Sequence, residues 1–411
     1  MLSGIRVISF NHFHAGPVAA QMLADMGADV IAVESNEGAF HRNWAVANHF
    51  VGGQSVNLLT TGRNKRSLAV DLKSPEGRAI VRRLLEKADV VMENFRPGTM
   101  ARLGLGYDDI KAFNPRVVYA SVSGYGADGP DRDKPGQDLL LQARSGLAAR
   151  TGRADGPPTP VGPVIVDQHA ASLYAMGILA ALLGRVSTGQ GKLVEVSLLQ
   201  AALDLQSESL TAWLNGARTP SPRGKNGLAA WCAAGPYGIH ATADGYVTIS
   251  MASPLDLAKA LDLPALLAYP PSKSFSERDA ITSLVVARLR DKTTAEWLPI
   301  LEEHGIWYGP VQDYEDLQND PQLQHLGSFK HVTGVGGDPL TLLGHPVHYD
   351  GKAPEVRLVP QALGAQTREI LAEIGYTPQD VAAFVRHGTV RTAEGADAAN
   401  AARAAEPTTK S

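Results

Sequence analysis

Short apolar runs alternate with longer segments in which apolar residues recur every three to four positions, and this alternation continues to residue 206. IRVISF (5–10) predicts a buried strand, residues 17–27 predict a helix, and ADVIAVE (28–34) predicts a second strand. A strand, a helix and a strand in this order form a βαβ unit with parallel strands. The same pattern predicts strands at 67–72, 89–95 and 116–124, helices at 74–88 and 168–184, and a strand leading into a helix at 192–206. We therefore predict an α/β fold built on a Rossmann-like open parallel sheet with helices on both faces.

The pattern changes at NGARTPSPRGKNG, which is polar and rich in glycine and proline, as linkers are. A hairpin is predicted next, at 237–251, because Asp244 and Gly245 suit a tight turn. The predicted parts of the chain are a large α/β domain that begins with residues 1–215, a smaller α+β domain at 225–335, a return to the large domain at 340–388, and a tail at 389–411. The tail has no periodic apolar face, so we predict that it is disordered.

Composition and charge exclude several classes of function. The 411 residues carry a net charge of −4, so no overall positive field attracts nucleic acid or an anionic membrane. The single cysteine, Cys232, cannot form an internal disulfide, and no Cys/His set has zinc spacing. The first residues lack a signal-peptide pattern, and no window has the roughly 18 to 20 uninterrupted apolar residues of a membrane span. We expect a cytoplasmic protein with no nucleic-acid or membrane partner.

The first strand, turn and helix raise the question of nucleotide binding. The turn from His12 to Gly16 lacks the glycines of G-x-G-x-x-G, which let the backbone approach a pyrophosphate. Classical NAD binding is therefore not expected, and Glu34 is interpreted as an exposed strand end. One of the two histidines, His12 and His14, could face a ligand, but no carboxylates nearby would complete a metal site. We predict no bound metal.

Basic residues cluster next to two predicted strands. The cluster comprises Arg63, Lys65, Arg66, Lys73, Arg96 and Arg102. In an open α/β sheet, ligands bind beyond the carboxyl ends of the strands, and guanidinium and ammonium groups suit phosphates. A solvated charged face is the alternative interpretation.

Asp167 separates the Pro/Gly-rich segment PVGPVIV from an apolar helix. Aspartate is among the best N-cap residues, because its carboxylate accepts free amide protons of the first turn. The positive potential at a helix N-terminus also keeps a carboxylate ionised, and an ionised carboxylate can attack an acyl carbon to form an anhydride. Both roles stay open. Cys232 has His240 near it in sequence but no indication of a catalytic pair, and we interpret it as a buried structural thiol.

Several longer motifs occur in a fixed order. They are HAGPVAAQMLADMGADVIAVE, RNKRSLAVDLKSPEGR, ADVVMENFRPGTMARLGLGYDD, NPRVVYASVSGYGADGP, PVGPVIVDQHAASLYAMGILAALLGR and GIWYGPVQDYEDLQNDPQL. Over about residues 4–385 the chain resembles the class III coenzyme A transferases, the family of formyl-CoA transferase and the carnitine CoA-transferases. The α-methylacyl-CoA racemases form a sister branch.

The resemblance implies that Asp167 is the nucleophile. It would attack an acyl-CoA to give an aspartyl anhydride, take up CoA as an aspartyl-CoA thioester, and pass CoA to a free carboxylic or dicarboxylic acid. The resemblance places the CoA contacts on Phe13, His14, Val70, Asp71, Leu72, Lys73, Asn94, Phe95, Arg96 and Arg102. It also implies that CoA thioesters are substrates, that no cofactor is permanently bound, and that two chains interlock as a homodimer.

Some positions depart from the family pattern. The family often has Gln at the position of His14, and a basic residue that some members use for the adenine-side phosphates falls on Ser35. The racemase branch needs a histidine as second base, and that position holds Gln137, which cannot accept a proton near pH 7. Gln137 is kept only as a candidate pocket residue. A transferase is therefore favoured over an α-methylacyl-CoA racemase or epimerase. A CoA-binding protein without turnover stays open, and an NAD oxidoreductase is the least favoured alternative.

Overall fold

The computed structural model of the protein describes residues 1–393. The tail predicted at 389–411 therefore lies outside the described residues from position 394 onward. At its start the prediction of disorder is wrong, because Val390–Arg391 form a short strand that pairs with Ala69 and Val70. Main-chain pairing of this kind depends little on side chains, so the apolar pattern did not indicate it.

The described chain falls into two compact units. The first comprises residues 1–138, 165–201 and the chain from 322 onward, and the second comprises residues 139–164 and 202–321. The small domain predicted at 225–335 differs from the second unit, which also contains 139–164 and begins and ends earlier. Residues 151–164 are rich in glycine and proline, but this composition does not indicate to which unit the segment 139–164 belongs.

The first unit contains a seven-stranded sheet. Its strands are β1 (Arg6–Phe10), β2 (Asp29–Glu34), β5 (Lys65–Val70), β6 (Val90–Glu93), β7 (Val118–Ser123), β8 (Leu193–Ser197) and β14 (Val390–Arg391). Across the sheet they lie in the order β14–β5–β2–β1–β6–β7–β8. All of these strands except β14 run parallel to one another, and β14 is antiparallel to β5. Two short antiparallel pairs are also present, β3 (Phe50–Val51) with β4 (Gln54–Ser55) and β12 (Phe329–Thr333) with β13 (Pro339–Leu343). The predicted mixed α/β fold with a parallel-dominated sheet is confirmed.

Helices connect these strands. In chain order they are α1 (Ala15–Asp25), α2 (Phe40–Asn43), α3 (Val56–Thr61), α4 (Pro75–Leu85), α5 (Thr99–Arg102), α6 (Tyr107–Lys111), α7 (Asp138–Arg144), α8 (Leu147–Arg150), α9 (Ile165–Thr188), α10 (Leu198–Asp204), α11 (Ser207–Leu214), α12 (Pro254–Ala260), α13 (Arg278–Leu289), α14 (Thr294–Glu303), α15 (Tyr314–Asn319), α16 (Pro321–His325), α17 (Thr367–Glu373) and α18 (Pro378–Arg386). Short 3-10 helices occupy Val46–Asn48, Pro264–Ala268 and Pro271–Lys273.

Apolar side chains of the sheet, α4 and the C-terminal helices form one core in the first unit. It includes Ile8, Ile31, Leu68 and Val91 from the strands, Ile80 and Leu84 from α4, Ile370 and Leu371 from α17, and Val381 from α18. Burying each such side chain contributes about 1.5–3 kcal/mol. Helix α4 begins as its sequence predicts, because the Ser74 hydroxyl accepts the amide proton of Gly77 and Pro75 occupies the first turn. The segment after residue 360 thus completes the core of the large unit.

Helix α9 is also a core element of the first unit. It runs for 24 residues, and by length and composition alone it is apolar enough to cross a membrane. It packs against α1, β7 and β8, and 44% of its most apolar window is buried within the protein. Tyr174 and Ile178 are fully buried there. Packing within the unit thus explains the apolar residues on its buried side.

The second unit has its own core. Strands β9 (Gly238–Ala241), β10 (Tyr246–Ser250) and β11 (Trp307–Pro310) form an antiparallel sheet. The predicted hairpin at 237–251 corresponds to β9 and β10. One face of this sheet packs with α12, α13 and α14 around buried residues such as Ile249, Leu257, Val285 and Trp297.

Candidate active site

Three loops leave the sheet from the carboxyl ends of adjacent parallel strands. They follow β1, β6 and β7, which lie side by side in the sheet. Parallel strands end at the same edge, and that edge is where open α/β sheets bind ligands. The start of α9 also reaches this edge, because Nε2 of His14 in the first loop lies 3.2 Å from Oε1 of Gln168. The candidate site is therefore built from the loops after β1, β6 and β7 and the first turn of α9.

Asp138 fixes the start of α9. Its Oδ2 accepts the amide protons of Val166, at 2.8 Å, and of Asp167, at 2.9 Å. Helix α9 begins at Ile165, so Asp167 lies within its first turn and is not the N-cap predicted from the sequence. Asp138 satisfies the first-turn amides instead, from more than 25 residues upstream. The carboxylate of Asp167 is thereby left available for another role.

The Asp167 carboxyl group is poorly solvated. Burial, and then the negative charge of Asp138, raise its pKa to about 7. No side chain or amide in the described part of the chain donates a hydrogen bond that would offset this. Burial and the charge of Asp138 therefore oppose the ionisation that the positive potential of the helix N-terminus was expected to favour. A partly buried carboxylate without hydrogen-bond donors is a reactive nucleophile when ionised.

Tyr174 anchors α9 on the strand ends. It lies two turns after Asp167, its hydroxyl donates to the Ala120 carbonyl at 2.5 Å, and it accepts the Glu93 amide proton at 3.2 Å. Burial also raises the pKa of the Glu93 carboxyl to about 7, with a smaller contribution from the charge of Glu195. These contacts tie the helix that carries Asp167 to β6 and β7.

A side-chain clamp holds the first loop. Asn94, after β6, accepts the His12 amide proton at 2.9 Å and donates to the His12 carbonyl at 2.7 Å. The next residue, Phe13, adopts a φ of 62°, a left-handed conformation that costs free energy outside glycine. Burial lowers the pKa of both His12 and His14, so both rings are neutral at pH 7. Phe13 and His14 lie at the candidate site, and the amide of Asn94 makes two hydrogen bonds to the first loop; the predicted contacts of all three residues with CoA stay predictions.

Exposed aromatic rings continue from this loop. The Phe13 ring lies 4.8 Å from His12 and 4.7 Å from Phe40, and Phe40 lies 5.7 Å from Trp44. About half of the Phe13, Phe40 and Trp44 surface is exposed. Phe95, which is partly buried, closes the other end at 5.2 Å from His12. Sequence reasoning missed Phe40 and Trp44, and their spacing of four residues in FHRNW was the only available signal.

Half of the residues in the predicted basic cluster make ion pairs or hydrogen bonds inside the fold. Arg63 is buried and paired with Asp25 at 2.6 Å, and Arg66 binds Asp29, Glu369 and Glu373. Lys65 is also buried. The prediction that these three residues grip phosphates is wrong, because internal carboxylates and carbonyls already hold them.

Lys65 and Glu34 are likewise charged residues that are held by contacts inside the fold. Lys65 Nζ donates to the Pro17 carbonyl at 2.6 Å, and burial lowers its pKa to about 7. Glu34 is not an exposed strand end as expected: it is buried in an ion pair with Arg42, at 2.6 Å. Burial alone would raise the pKa of Glu34, but Arg42 and the hydrogen bonds outweigh it and lower the pKa to about 2.

The remaining basic residues are exposed in the segments that follow β5 and β6. They are Lys73, Arg96 and Arg102. Of their predicted neighbours, Asp71 accepts the Lys73 amide proton at 2.9 Å and Leu72 is partly buried against the core. The Val70 side chain is fully buried, so the CoA contact predicted at this residue would have to come from its main chain.

The other candidate residues give less indication of a catalytic role. Gln137 is exposed, immediately before Asp138. In the second unit Cys232 is only partly buried, and Nε2 of His240 lies 2.7 Å from the Pro236 carbonyl. Among residues 1–393 no group of three or more His, Cys, Asp or Glu side chains is arranged to hold a metal ion.

Comparisons with known proteins agree on one family. The family model for CoA-transferase family III matches residues 2–367. The chain is 33% identical to the mouse succinyl-CoA:glutarate CoA-transferase, covering 91% of this chain and 86% of that one. It is 32% identical to the succinyl-CoA–D-citramalate CoA-transferase of Chloroflexus aurantiacus, with coverage of 93% and 96%. A crystal structure of a CAIB/BAIF family protein from Brucella suis superposes with a TM-score of 0.79 at 29% identity, covering 91% of this chain and 99% of that one.

Proposed function

The chain belongs to CoA-transferase family III, and we propose that it moves CoA from succinyl-CoA, or a similar acyl-CoA, to a small dicarboxylic acid, with Asp167 as the covalent carrier. The observation that carries this proposal is the first turn of α9. There Asp138 takes over the capping role, and the Asp167 carboxylate stands without a hydrogen-bond donor.

The proposed reaction has two halves. An Asp167 oxygen attacks the donor carbonyl carbon and displaces CoA as a thiolate, which leaves an acyl–aspartyl anhydride. The thiolate then attacks the Asp167 carbonyl carbon, so the donor acid leaves with the bridging oxygen and an aspartyl-CoA thioester forms. The acceptor carboxylate repeats these steps in reverse order. CoA ends on the acceptor, and Asp167 regains a carboxylate that contains one acceptor oxygen.

The electrostatics of Asp167 support this role. Attack requires the ionised form of Asp167, and burial together with Asp138 makes that form high in free energy. Forming an anhydride removes the charge, so the same burial favours the neutral covalent intermediate over the carboxylate. A raised pKa at a residue in a helix start next to ligand-facing loops is typical of catalytic groups.

The loops around Asp167 offer groups for the substrates. We propose that Lys73, Arg96 and Arg102 bind CoA phosphates, because they are exposed cations at the ligand-binding edge of the sheet. The neutral ring of His14 donates its one proton from Nε2 to Oε1 of Gln168, so its Nδ1 would accept a hydrogen bond from a substrate group. The choice of dicarboxylic acids follows the names of the mouse and Chloroflexus relatives. A single cysteine fits the reducing cytoplasm as the place of reaction.

We also propose a homodimer. The outward face of α9 exposes Met176, Leu183 and Val186, with 60%, 75% and 84% of their surfaces accessible. Their spacing of seven and three residues places them on one helical stripe. Apolar stripes of this kind mark protein interfaces, and a second copy is the partner that the family resemblance predicts.

The proposal is tested by offering the protein succinyl-CoA with a panel of free acids. Glutarate, citramalate, mesaconate and a monocarboxylic acid are supplied separately, and new CoA esters are identified by mass spectrometry. We expect CoA on at least one dicarboxylic acid, and no product with Asp167→Asn, whose amide cannot form the anhydride. Asp108→Asn, at an exposed site on α6, is the matched control and should keep turnover. Wild-type turnover by Asp167→Asn would overturn the assignment.

A parallel experiment addresses the racemase alternative. Gln137 has no titratable proton to deliver to the second face, so the protein should not invert the α-carbon of a 2-methylacyl-CoA in deuterated water. Rapid α-deuteration with inversion, and no CoA transfer to any acid in the panel, would replace the transferase proposal with an epimerase.

A further inference from the structure

The loop between β7 and α7 is closed at its base by two glycines in contact. A Cβ atom on Gly136 would lie 2.3 Å from Cα of Gly124, and one on Gly124 would lie 2.5 Å from Cα of Gly136. Any larger residue at either position would collide with backbone, so the close approach depends on both glycines. The chain therefore leaves and re-enters the fold at one point, as compact Ω-loops do.

Contacts within the loop fix its tip. The Lys134 amide donates to the Asp131 carbonyl at 2.9 Å, and Lys134 Nζ lies 2.6 Å from Asp131 Oδ1. The Arg132 amide donates to the Gly129 carbonyl at 3.3 Å. Arg132 thus lies between two residues that contact each other within the loop, and the ends of the loop are fixed by the glycine contact. The main-chain position from which its side chain extends is therefore defined.

The side chain of Arg132 reaches the loop after β6. A Cβ atom on Gly98 would lie 3.4 Å from Nη1 of Arg102 and 3.7 Å from Nη2 of Arg132. The space beside Gly98 is therefore flanked by two guanidinium groups from different loops. Arg102 is oriented there by a hydrogen bond from its Nη2 to the Thr99 hydroxyl, at 2.9 Å. We call Arg102 and Arg132 the Gly98 arginine pair.

Two cations in one space repel each other unless an anion lies between them. The carboxylate paired with Arg132 is that of Asp133, at 3.6 Å, but its side chain is 85% exposed and the solvent screens it. Planar guanidinium forks suit a phosphate, which offers several oxygens to both partners at once. The arrangement is that of a phosphate site in a protein whose proposed substrate carries phosphates.

We propose that the Gly98 arginine pair binds one phosphate group of coenzyme A, with Arg132 as a binding residue that the family resemblance did not indicate. This inference rests on the proposed function. The loop that carries Arg132 ends at Asp138, whose carboxylate holds the amide of Asp167. The phosphate site and the start of α9 are thus joined by one short stretch of chain.

The test is calorimetric titration of the full chain with CoA and with dephospho-CoA, which lacks the 3′-phosphate. We expect Arg132→Gln to weaken CoA binding by about tenfold, the usual effect of losing one charge-assisted contact. Arg102→Gln should do the same. Because both residues would hold the same phosphate, the double variant should lose less affinity than the product of the two single losses. Lys111→Gln, an exposed cation elsewhere in the first unit, is the control and should bind as the wild type does.

The second ligand assigns the phosphate. A loss with Arg132→Gln that disappears for dephospho-CoA assigns the pair to the 3′-phosphate, and an equal loss for both ligands assigns it to the diphosphate. Wild-type CoA affinity in Arg132→Gln, together with a loss in Arg102→Gln, would overturn this inference and leave the proposed function intact. A wild-type protein that binds no CoA at all would instead overturn the proposed function.

Discussion

Ionisation of Asp167 destabilises the folded protein. Burial and the charge of Asp138 raise its pKa from the ordinary value of 3.8 to about 7. A group whose pKa is raised by folding contributes stability that is complete below the unfolded pKa and is lost as the pH rises through the folded pKa. Between about pH 4 and pH 7, therefore, this one carboxyl group makes the fold progressively less stable. This destabilisation is consistent with a residue that has a catalytic role.

Replacing Asp167 by asparagine removes that cost. We expect Asp167→Asn to unfold at the wild-type temperature at pH 4.5 and to gain about 2–5 °C in Tm at pH 8, where the wild-type carboxyl is ionised. Differential scanning calorimetry at the two pH values measures the difference. Asp133→Asn, an exposed carboxylate, should show no such gain. A Tm difference that is the same at both pH values would mean that Asp167 is not poorly solvated.

Asp138 acts on Asp167 through both a hydrogen bond and a charge. Asparagine at position 138 keeps an oxygen that can accept the amide protons of Val166 and Asp167, but it lacks the charge. We therefore expect Asp138→Asn to lower the pKa of Asp167 and to move the acid limb of the kcat/KM profile, which should lie near pH 7 in the wild type, to lower pH. An acid limb that does not move would show that the charge of Asp138 has no influence on the nucleophile.

Loops and helices position these side chains, and the clamp between Asn94 and His12 is the clearest case. It joins the loops after β1 and β6 and holds the left-handed turn at Phe13. Because the Asn94 amide makes both of these hydrogen bonds to His12, we assign it a positioning role, and its predicted contact with CoA stays a prediction.

Removing the clamp should therefore affect catalysis more than stability. We expect Asn94→Ala to lower kcat/KM by about ten- to a hundredfold, mainly through a higher KM for the CoA thioester, because the first loop loses its bound geometry. Asn114→Ala is the matched control: Asn114 donates to the carbonyls of Leu85 and Ala88 in the same unit, away from the site. Both variants should lose about 1–3 kcal/mol of stability. Equal catalytic losses in both would indicate a general folding defect.

The sequence predicts those elements that are determined by local pattern. Apolar periodicity located the parallel strands and α4, and Ser74 with Pro75 marked the start of that helix correctly. The cap of α9 was assigned to Asp167 because capping is normally local. The actual acceptor, Asp138, lies far upstream, and no local rule points to it. Arg63 and Arg66 failed as ligand candidates for a related reason: their partners, Asp25 and Glu373, are distant in sequence.

The division of the whole chain was also only partly predictable. The glycine- and proline-rich segment near residue 220 marks the second unit, but the excursion at 139–164 is identified only by contacts within the folded chain. The positive charge contributed by Arg132 was likewise not predictable from the local sequence. DRDK at 131–134 appears neutral and solvated in the sequence, and only the pinched loop brings Arg132 to Arg102. Motifs that carry the family resemblance, in contrast, span most of the chain and identified the reaction class correctly.

The state of assembly is a property of the whole molecule. We expect the wild type to sediment as a dimer and Leu183→Glu/Val186→Glu to sediment as a monomer, because the charges would have to be buried at the interface. Val335→Glu, an exposed apolar residue outside α9, is the control and should leave the dimer unchanged. A dimeric double variant would place the interface away from the α9 stripe.

The central claim is that Asp167 carries the acyl group and CoA covalently, and oxygen labelling tests it most directly. The protein is incubated with succinyl-CoA and glutarate labelled with ¹⁸O in both carboxylates, digested, and the peptide that contains Asp167 is weighed by mass spectrometry. In the proposed reaction an acceptor oxygen becomes the bridging oxygen of the anhydride and stays on Asp167 when CoA leaves. The account therefore predicts ¹⁸O in the Asp167 side chain and, after further turnovers, in the released succinate. Formation of glutaryl-CoA with no label at Asp167 would contradict it.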